Sequence, residues 1–251
     1  MSIHIEDLTV RFKNSVTAID HADLDIPNGI FGLLGENGAG KTTTLRMLAT
    51  LIKPDDGDAV IGGYSVRKEA EQVRRKIGFL TSELRLEEFF TPNYLFDFFS
   101  DLHQVPANLR KERKKHLFEI FGIDEFAEVK IANLSTGMKQ KASLAISLVH
   151  DPDIVIFDEP TNGLDVLTAR VVTDFLLQLK EEGKTVIVST HIFSLIERIC
   201  DRVGIIINGT MIECGTLAEI CAGKSLEDRF FDLYQDHVGR EETNISGKER
   251  A

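Results

Sequence analysis

Apolar residues in this chain fall into two kinds of run. Short blocks with almost no polar interruption alternate with stretches where apolar residues return every three or four positions. Ile30-Phe31-Gly32-Leu33-Leu34, Ile154-Val155-Ile156-Phe157 and Thr185-Val186-Ile187-Val188-Ser189-Thr190 are of the first kind and predict buried strands. Leu45, Leu48 and Ile52 are of the second kind, as are Met138, Ala142, Ala145 and Val149, and Val171, Phe175 and Leu179; each set predicts a helix face, the last stopped by Gly183. Strand–helix alternation between 30 and 207 predicts an α/β fold, a mostly parallel sheet with helices on both faces. Residues 1–28 read as short strands ending in the Pro27-Asn28-Gly29 turn, and 54–63 as a further turn–strand–turn. Val203 to Ile207, Asn208-Gly209 and Met211 to Cys214 predict a hairpin on a tight primed turn. Residues 65–76 and 192–199 read as helices, and 84–150 as a mostly helical insertion. The tail from Gly239 is polar, lacks periodicity and reads as disordered.

Composition narrows the class. A chain of 251 residues buries a full α/β core, and its 43% hydrophobic and 27% charged content is that of a globular protein. A net charge of −11 argues against a nucleic-acid partner, which needs a basic face. The basic stretch Arg110-Lys111-Glu112-Arg113-Lys114-Lys115 is short and interrupted, and reads as a solvated helix face ahead of the alternative, a contact with the inner leaflet of a membrane. Cys200, Cys214 and Cys221 have neither metal-ligand spacing nor disulfide density and read as reduced thiols. The first residues lack the features of a signal peptide, and no apolar run has the length of a bilayer span, so any membrane part is expected to be a separate polypeptide.

The chemistry starts at residues 35–42, Gly-Glu-Asn-Gly-Ala-Gly-Lys-Thr, a complete phosphate-binding loop placed between a strand and a helix. Its glycines let backbone N–H groups close around a polyphosphate at a helix N-terminus. Lys41 supplies a charge for the β- and γ-phosphates, and the Thr42 hydroxyl a ligand for Mg²⁺. Farther on, Ile-Val-Ile-Phe-Asp-Glu-Pro at 154–160 delivers Asp158 and Glu159 to the carboxyl edge of the sheet. Asp158 suits the water shell of Mg²⁺, and Glu159 suits a general base for an attacking water.

A third element, Leu-Ser-Thr-Gly-Met-Lys-Gln-Lys at 134–141, precedes the acidic strand, and His191 follows the strand at 185–190. Taken in this order, the pieces resemble the ATP-binding subunit of an ABC transporter over about residues 1–222, with a helical subdomain at about 84–150; residues 223–251 read as a C-terminal helical extension and a polar, disordered tail. The resemblance implies a P-loop NTPase core with an antiparallel β layer beside it. It implies ATP and Mg²⁺ as cofactors, ATP held by Gly35, Glu36, Asn37, Gly38, Ala39, Gly40, Lys41, Thr42 and Thr43, and a head-to-tail dimer. There Ser135 and Gly137 of one copy cover the γ-phosphate held by the other, Asp165 lies at the seam, and His191 contacts the γ-phosphate. Glu159, His191 and Lys41 are the implied catalytic residues. Phe12 is either an adenine-stacking aromatic or an ordinary core residue.

Two departures stand out. Thr136 and Met138 replace the glycine and glutamine of the commoner L-S-G-G-Q form, while Ser135 and Gly137 are kept. The glutamine that the family places near the metal falls at Ser82, with Glu83 beside it. The aromatic run Phe89, Phe90, Tyr94, Phe96, Phe98 and Phe99 is either subdomain core or the pocket that receives a membrane permease. The stretches 77–83, 134–141 and 149–165 resemble ABC-2 exporters, among them bacterial sodium-extruding transporters. The resemblance thus implies a peripheral ATPase on the cytoplasmic face of the membrane. The rival readings are a soluble ABC-type ATPase and a nucleotide-occupancy switch.

Overall fold

The computed structural model describes residues 2–12, 16–81 and 86–248. Among these, ten strands form one sheet. Its core is parallel and is built from β3 (Gly29–Leu34), β6 (Ile77–Leu80), β7 (Ile154–Asp158), β8 (Thr185–Thr190) and β9 (Arg202–Ile207). The spatial order of these five is β9-β3-β8-β7-β6. Their near-continuous apolar runs follow from having both faces covered. Alternation still sorts the faces. On β7, Val155 and Phe157 enter one apolar cluster, whereas Ile154 and Ile156 enter the other.

The antiparallel layer is β1 (Ile3–Phe12), β2 (Val16–Ile26), β4 (Asp56–Ile61) and the short β5 (Tyr64–Ser65). It joins the parallel core through β10 (Thr210–Thr216), which is antiparallel to β9 and touches β2 at Thr210 and Asp20. The β9–β10 turn is the predicted one: Asn208 and Gly209 both have positive φ, 49° and 80°.

Helix α1 (Lys41–Leu48) follows the phosphate loop and packs Leu45, Met47 and Leu48 under the sheet. Helix α2 starts only at Ala70 and runs to Lys76, because Ser65 and Glu69 close a turn ahead of it through reciprocal hydrogen bonds. The insertion contains α3 (Pro92–Leu102), α4 (Ala107–Phe121) and α5 (Thr136–Ser147). Phe96, Phe118, Phe121 and Leu144 anchor it against the face of the sheet that also receives α6 (Val166–Glu181) and α7 (Phe193–Ile199).

The basic stretch on α4 is largely paired. Arg110 meets Asp97 and Asp101, Lys114 meets Asp97, and Arg113 meets Asp151. After a short α8 (Leu217–Cys221), α9 runs from Leu226 to Lys248, so the polar segment from Gly239 is helical in its backbone as far as Lys248. No described helix is long and apolar enough to cross a membrane.

Candidate active site

The sheet order brings three strand ends side by side. The phosphate loop leaves β3, the two carboxylates close β7, and β8 lies between them, paired with both. The loop needs glycine at position 40, whose φ is +108°; a Cβ there would stand 2.2 Å from the Ala18 carbonyl oxygen.

Lys41 is almost fully buried, and its Nζ donates to the carbonyls of Gly35 (2.7 Å) and Glu36 (3.0 Å). Burial is the largest influence on its ammonium and lowers the pKa, while Glu159, Asp158 and Glu36 oppose that shift. The cation is thus held among carbonyls that a phosphate oxygen can displace.

Asp158 is buried and accepts two hydroxyls, from Thr42 Oγ1 at 2.9 Å and from Ser189 Oγ at 2.5 Å. Asp158 and Thr42 together present hard oxygen donors, which fit a Mg²⁺ ion. Ser189, which carries no motif of its own, also accepts the Glu159 N–H at 3.2 Å and so fixes both acidic residues. The pairing of Asp158 with Ser189 across β7 and β8 sets this contact.

Glu159 has φ 51°, in the left-handed region that non-glycine residues seldom occupy. A second bond, from its N–H to the Ser189 carbonyl, holds that conformation. Its Oε1 lies 3.9 Å from Lys41 Nζ and 3.0 Å from His191 Nδ1. Its Oε2 is buried and has no hydrogen-bond partner among the described residues. One carboxylate oxygen is therefore oriented by two neighbours, and the other is left as a buried acceptor.

The remaining expected residues lie apart from this centre. Ser135 caps α5 by accepting the Met138 N–H at 3.3 Å. Asp165 caps α6 by accepting the N–H groups of Leu167 and Thr168 and the Thr168 hydroxyl at 2.7 Å. The two caps adjoin. A methyl added at Gly137 would sit 3.4 Å from Thr168 Oγ1 and 3.7 Å from Asp165 Oδ2. Gln140 ties α5 to the loop after β7 by donating to the Pro160 carbonyl at 3.3 Å. Within one chain, then, Ser135, Gly137 and Asp165 adjoin one another, and the Ser135 and Asp165 side chains bond Met138, Leu167 and Thr168 rather than the residues of the phosphate cradle. Ser82 and Glu83 lie outside the described residues, as does the Phe12 side chain.

The aromatic run divides. Phe96 is buried, whereas Phe89, Phe90, Tyr94 and Phe98 are exposed. Phe90 and Tyr94 stack with centroids 4.5 Å apart, beside a cavity of about 530 Å³.

Comparison with known proteins follows the same lines. The ABC transporter family profile matches residues 19–162. The ABC transporter ATP-binding protein NatA of Bacillus subtilis is 36% identical over 90% of this chain and 94% of its own. The ATP-binding protein DrrA of Streptomyces peucetius, named for daunorubicin and doxorubicin resistance, is 34% identical over 84% of this chain and 64% of its own. Among solved structures, an ATP-binding subunit of an ABC transporter superposes with a TM-score of 0.87 at 26% identity, covering 93% of this chain and 99% of that one. A dimeric cassette in a post-hydrolysis state with ADP and Pi gives 0.78 at 25% identity, covering 86% of this chain and 98% of that one.

Proposed function

This chain belongs to the ABC transporter family as an ATP-binding, ATP-hydrolysing subunit, and from that premise we propose that it is the motor of an ABC-2-type exporter, hydrolysing ATP at the cradle of Lys41, Asp158, Glu159 and His191. The observation that carries the catalytic assignment is the division of labour on Glu159: Oε1 is oriented by Lys41 and His191 while Oε2 is buried and unpartnered.

In this reading the phosphates take over the Lys41 ammonium from the Gly35 and Glu36 carbonyls. Lys41 then balances charge that develops during phosphoryl transfer. Glu159 Oε2 accepts the proton of the attacking water, and His191 holds the opposite oxygen in place. Thr42 and Asp158 would hold Mg²⁺, which when bound neutralises phosphate charge. Ser189 keeps Asp158 aimed and fixes the Glu159 backbone.

Ser135, Gly137 and Asp165 are assigned to the partner's site. The Ser135 and Asp165 side chains bond outside the phosphate cradle of their own chain, and the cassette structure similar to this chain is a dimer. Two copies would therefore close head to tail around two ATP molecules, the closed state binding ATP better than the open one. The exposed aromatic face of α3 supports a separate membrane permease as the second partner, and a peripheral position at the cytoplasmic face is part of the same proposal. Sodium is the proposed cargo, by similarity to the sodium-extruding group, and in this reading it passes through the permease rather than along this chain.

Glu159→Gln tests the reading. It is expected to bind ATP, to lose at least about 100-fold in hydrolysis and to accumulate a dimer on magnesium ATP. Wild-type turnover in this variant sinks the role given to Glu159, and a strictly monomeric variant sinks the dimer. Sodium flux in inverted vesicles carrying the co-purified permease tests the cargo.

A further inference from the structure

Two apolar features flank the phosphate contact and have no part in the chemistry above. The first is Val166-Leu167, the opening residues of α6, which are 84% and 80% exposed. The Asp165 cap bonds the N–H groups of Leu167 and Thr168 and so fixes this pair at the protein surface. The second is a cleft of about 260 Å³ beside the phosphate loop, walled by Glu36, His191, Phe193, Phe230, Phe231 and Tyr234. Its outer wall belongs to α9. Phe230 packs against Phe193 (5.5 Å between centroids), Phe231 (5.9 Å) and Tyr234 (6.3 Å). The start of α9 is pinned to the body: the Leu226 N–H donates to Glu197, and Arg229 Nη2 donates to both carboxylate oxygens of Glu213 at 3.1 and 2.9 Å. Phe231 nevertheless remains half exposed at 52%.

We propose that in the head-to-tail dimer Val166 and Leu167 of one copy seat in the aromatic cleft of the other, making α9 part of the nucleotide-dependent seam. The inference rests on the dimer reading above and adds an occupant and a surface to it. Its basis is adjacency on both sides of the contact. Within one chain Gly137 lies against Thr168 and Asp165, so bringing Gly137 onto the partner's loop carries the start of α6 with it. On the receiving side, the cleft begins at Gly35 and Glu36 of that loop and at His191, which follows β8, the strand paired with β3. The aliphatic pair and the aromatic cleft therefore meet in the same step as the phosphate contact. Burial of both surfaces then favours closure only when nucleotide has aligned the two copies.

The test uses full-length protein carrying Glu159→Gln, with Cys214 and Cys221 changed to serine. Cys200 is retained, because burial pushes its thiol up to about 12 and leaves it unreactive. One preparation carries Leu167→Cys and a differently tagged one carries Phe231→Cys. On mixing, a short bismaleimide is expected to join the two tags with magnesium ATP and not without it. In parallel, Leu167→Ser and Phe231→Ser are each expected to weaken the ATP dimer about 10-fold while the monomer's ATP affinity is unchanged. The double variant is expected to be little weaker than either single one, since both remove the same contact. If the parent protein dimerises on ATP but no cross-link forms, or if Leu167→Ser dimerises with the parent's dissociation constant, this seating is overturned and the dimer stands. If the parent protein never dimerises, the head-to-tail reading falls with it.

Discussion

Ser189 is the residue on which the acidic pair turns. Its hydroxyl donates to Asp158 and accepts the Glu159 N–H, and its carbonyl accepts that N–H as well. Asp158 has Thr42 as its other hydroxyl partner. Ser189→Ala removes one of these two donors from a buried carboxylate and loosens the positive-φ backbone of Glu159. An unmet hydrogen bond to a buried charged group costs about 1.5–3 kcal/mol. The expected outcome is a fall in stability of that size, read by denaturant unfolding, with a drop in kcat larger than the change in ATP affinity. Retention of wild-type kcat would show that Ser189 does not aim the acids.

The sequence could not single Ser189 out. A hydroxyl inside a strand has no spacing signature, and its role exists only once β7 and β8 are in register. Lys41, Thr42, Asp158 and Glu159 were legible because the phosphate loop and the acid-tipped strand each constrain residue type at fixed spacing.

At the scale of elements, the helical insertion is fastened to the sheet by a contact that titrates. His150, just beyond α5, bonds the Ile77 carbonyl at the start of β6 at 3.0 Å and stacks on His103, just beyond α3, with centroids 4.0 Å apart. Its Nδ1 is buried with no partner among the described residues. Burial, assisted by the neighbouring His103, lowers the His150 pKa to about 4. The folded value lies below the ordinary 6.5, so the unfolded chain binds the extra proton first. The stability that comes from keeping this imidazole buried and neutral is present above pH 6.5 and is lost as pH falls from 6.5 towards 4, by about 3 kcal/mol at full effect. His150→Gln keeps a donor for Ile77 and is expected to flatten that acid limb in unfolding experiments between pH 4 and 7. An unchanged limb would assign the pH dependence to other groups.

The helices of the insertion were legible from the sequence, but the buried side of α3 was not. Leu95, Phe96 and Ser100 face inward, while Tyr94, Phe98 and Leu102 form a second apolar stripe four residues apart that faces outward. With apolar residues on both sides of one helix, periodicity cannot say which side is covered.

At the scale of the molecule, the outward stripe on α3 and the phosphate cradle are separate surfaces, and they separate two functions. Phe98→Asp places a charge on an exposed position, so the fold and the basal ATPase rate are expected to survive. Binding to the permease is expected to drop by at least about 10-fold, since a charge would have to be desolvated at an apolar interface. Co-purification from membranes, together with the ATPase rate with and without the permease, checks both halves. A variant that still couples fully would place the docking surface elsewhere.

The path of the chain gives this separation a mechanical side. β6 and β7 are hydrogen-bonded neighbours, yet 73 residues, from 81 to 153, pass between them. The insertion therefore leaves the carboxyl end of β6 and returns at the amino end of β7, both at one margin of the sheet. It packs back onto that sheet through Phe96, Phe118, Phe121 and Leu144, and the strand that follows it ends at Asp158, with Glu159 next in the chain. A permease pressing on the aromatic stripe would bear on the same apolar core that seats Val155 and Phe157 of β7, and through β7 on the two carboxylates.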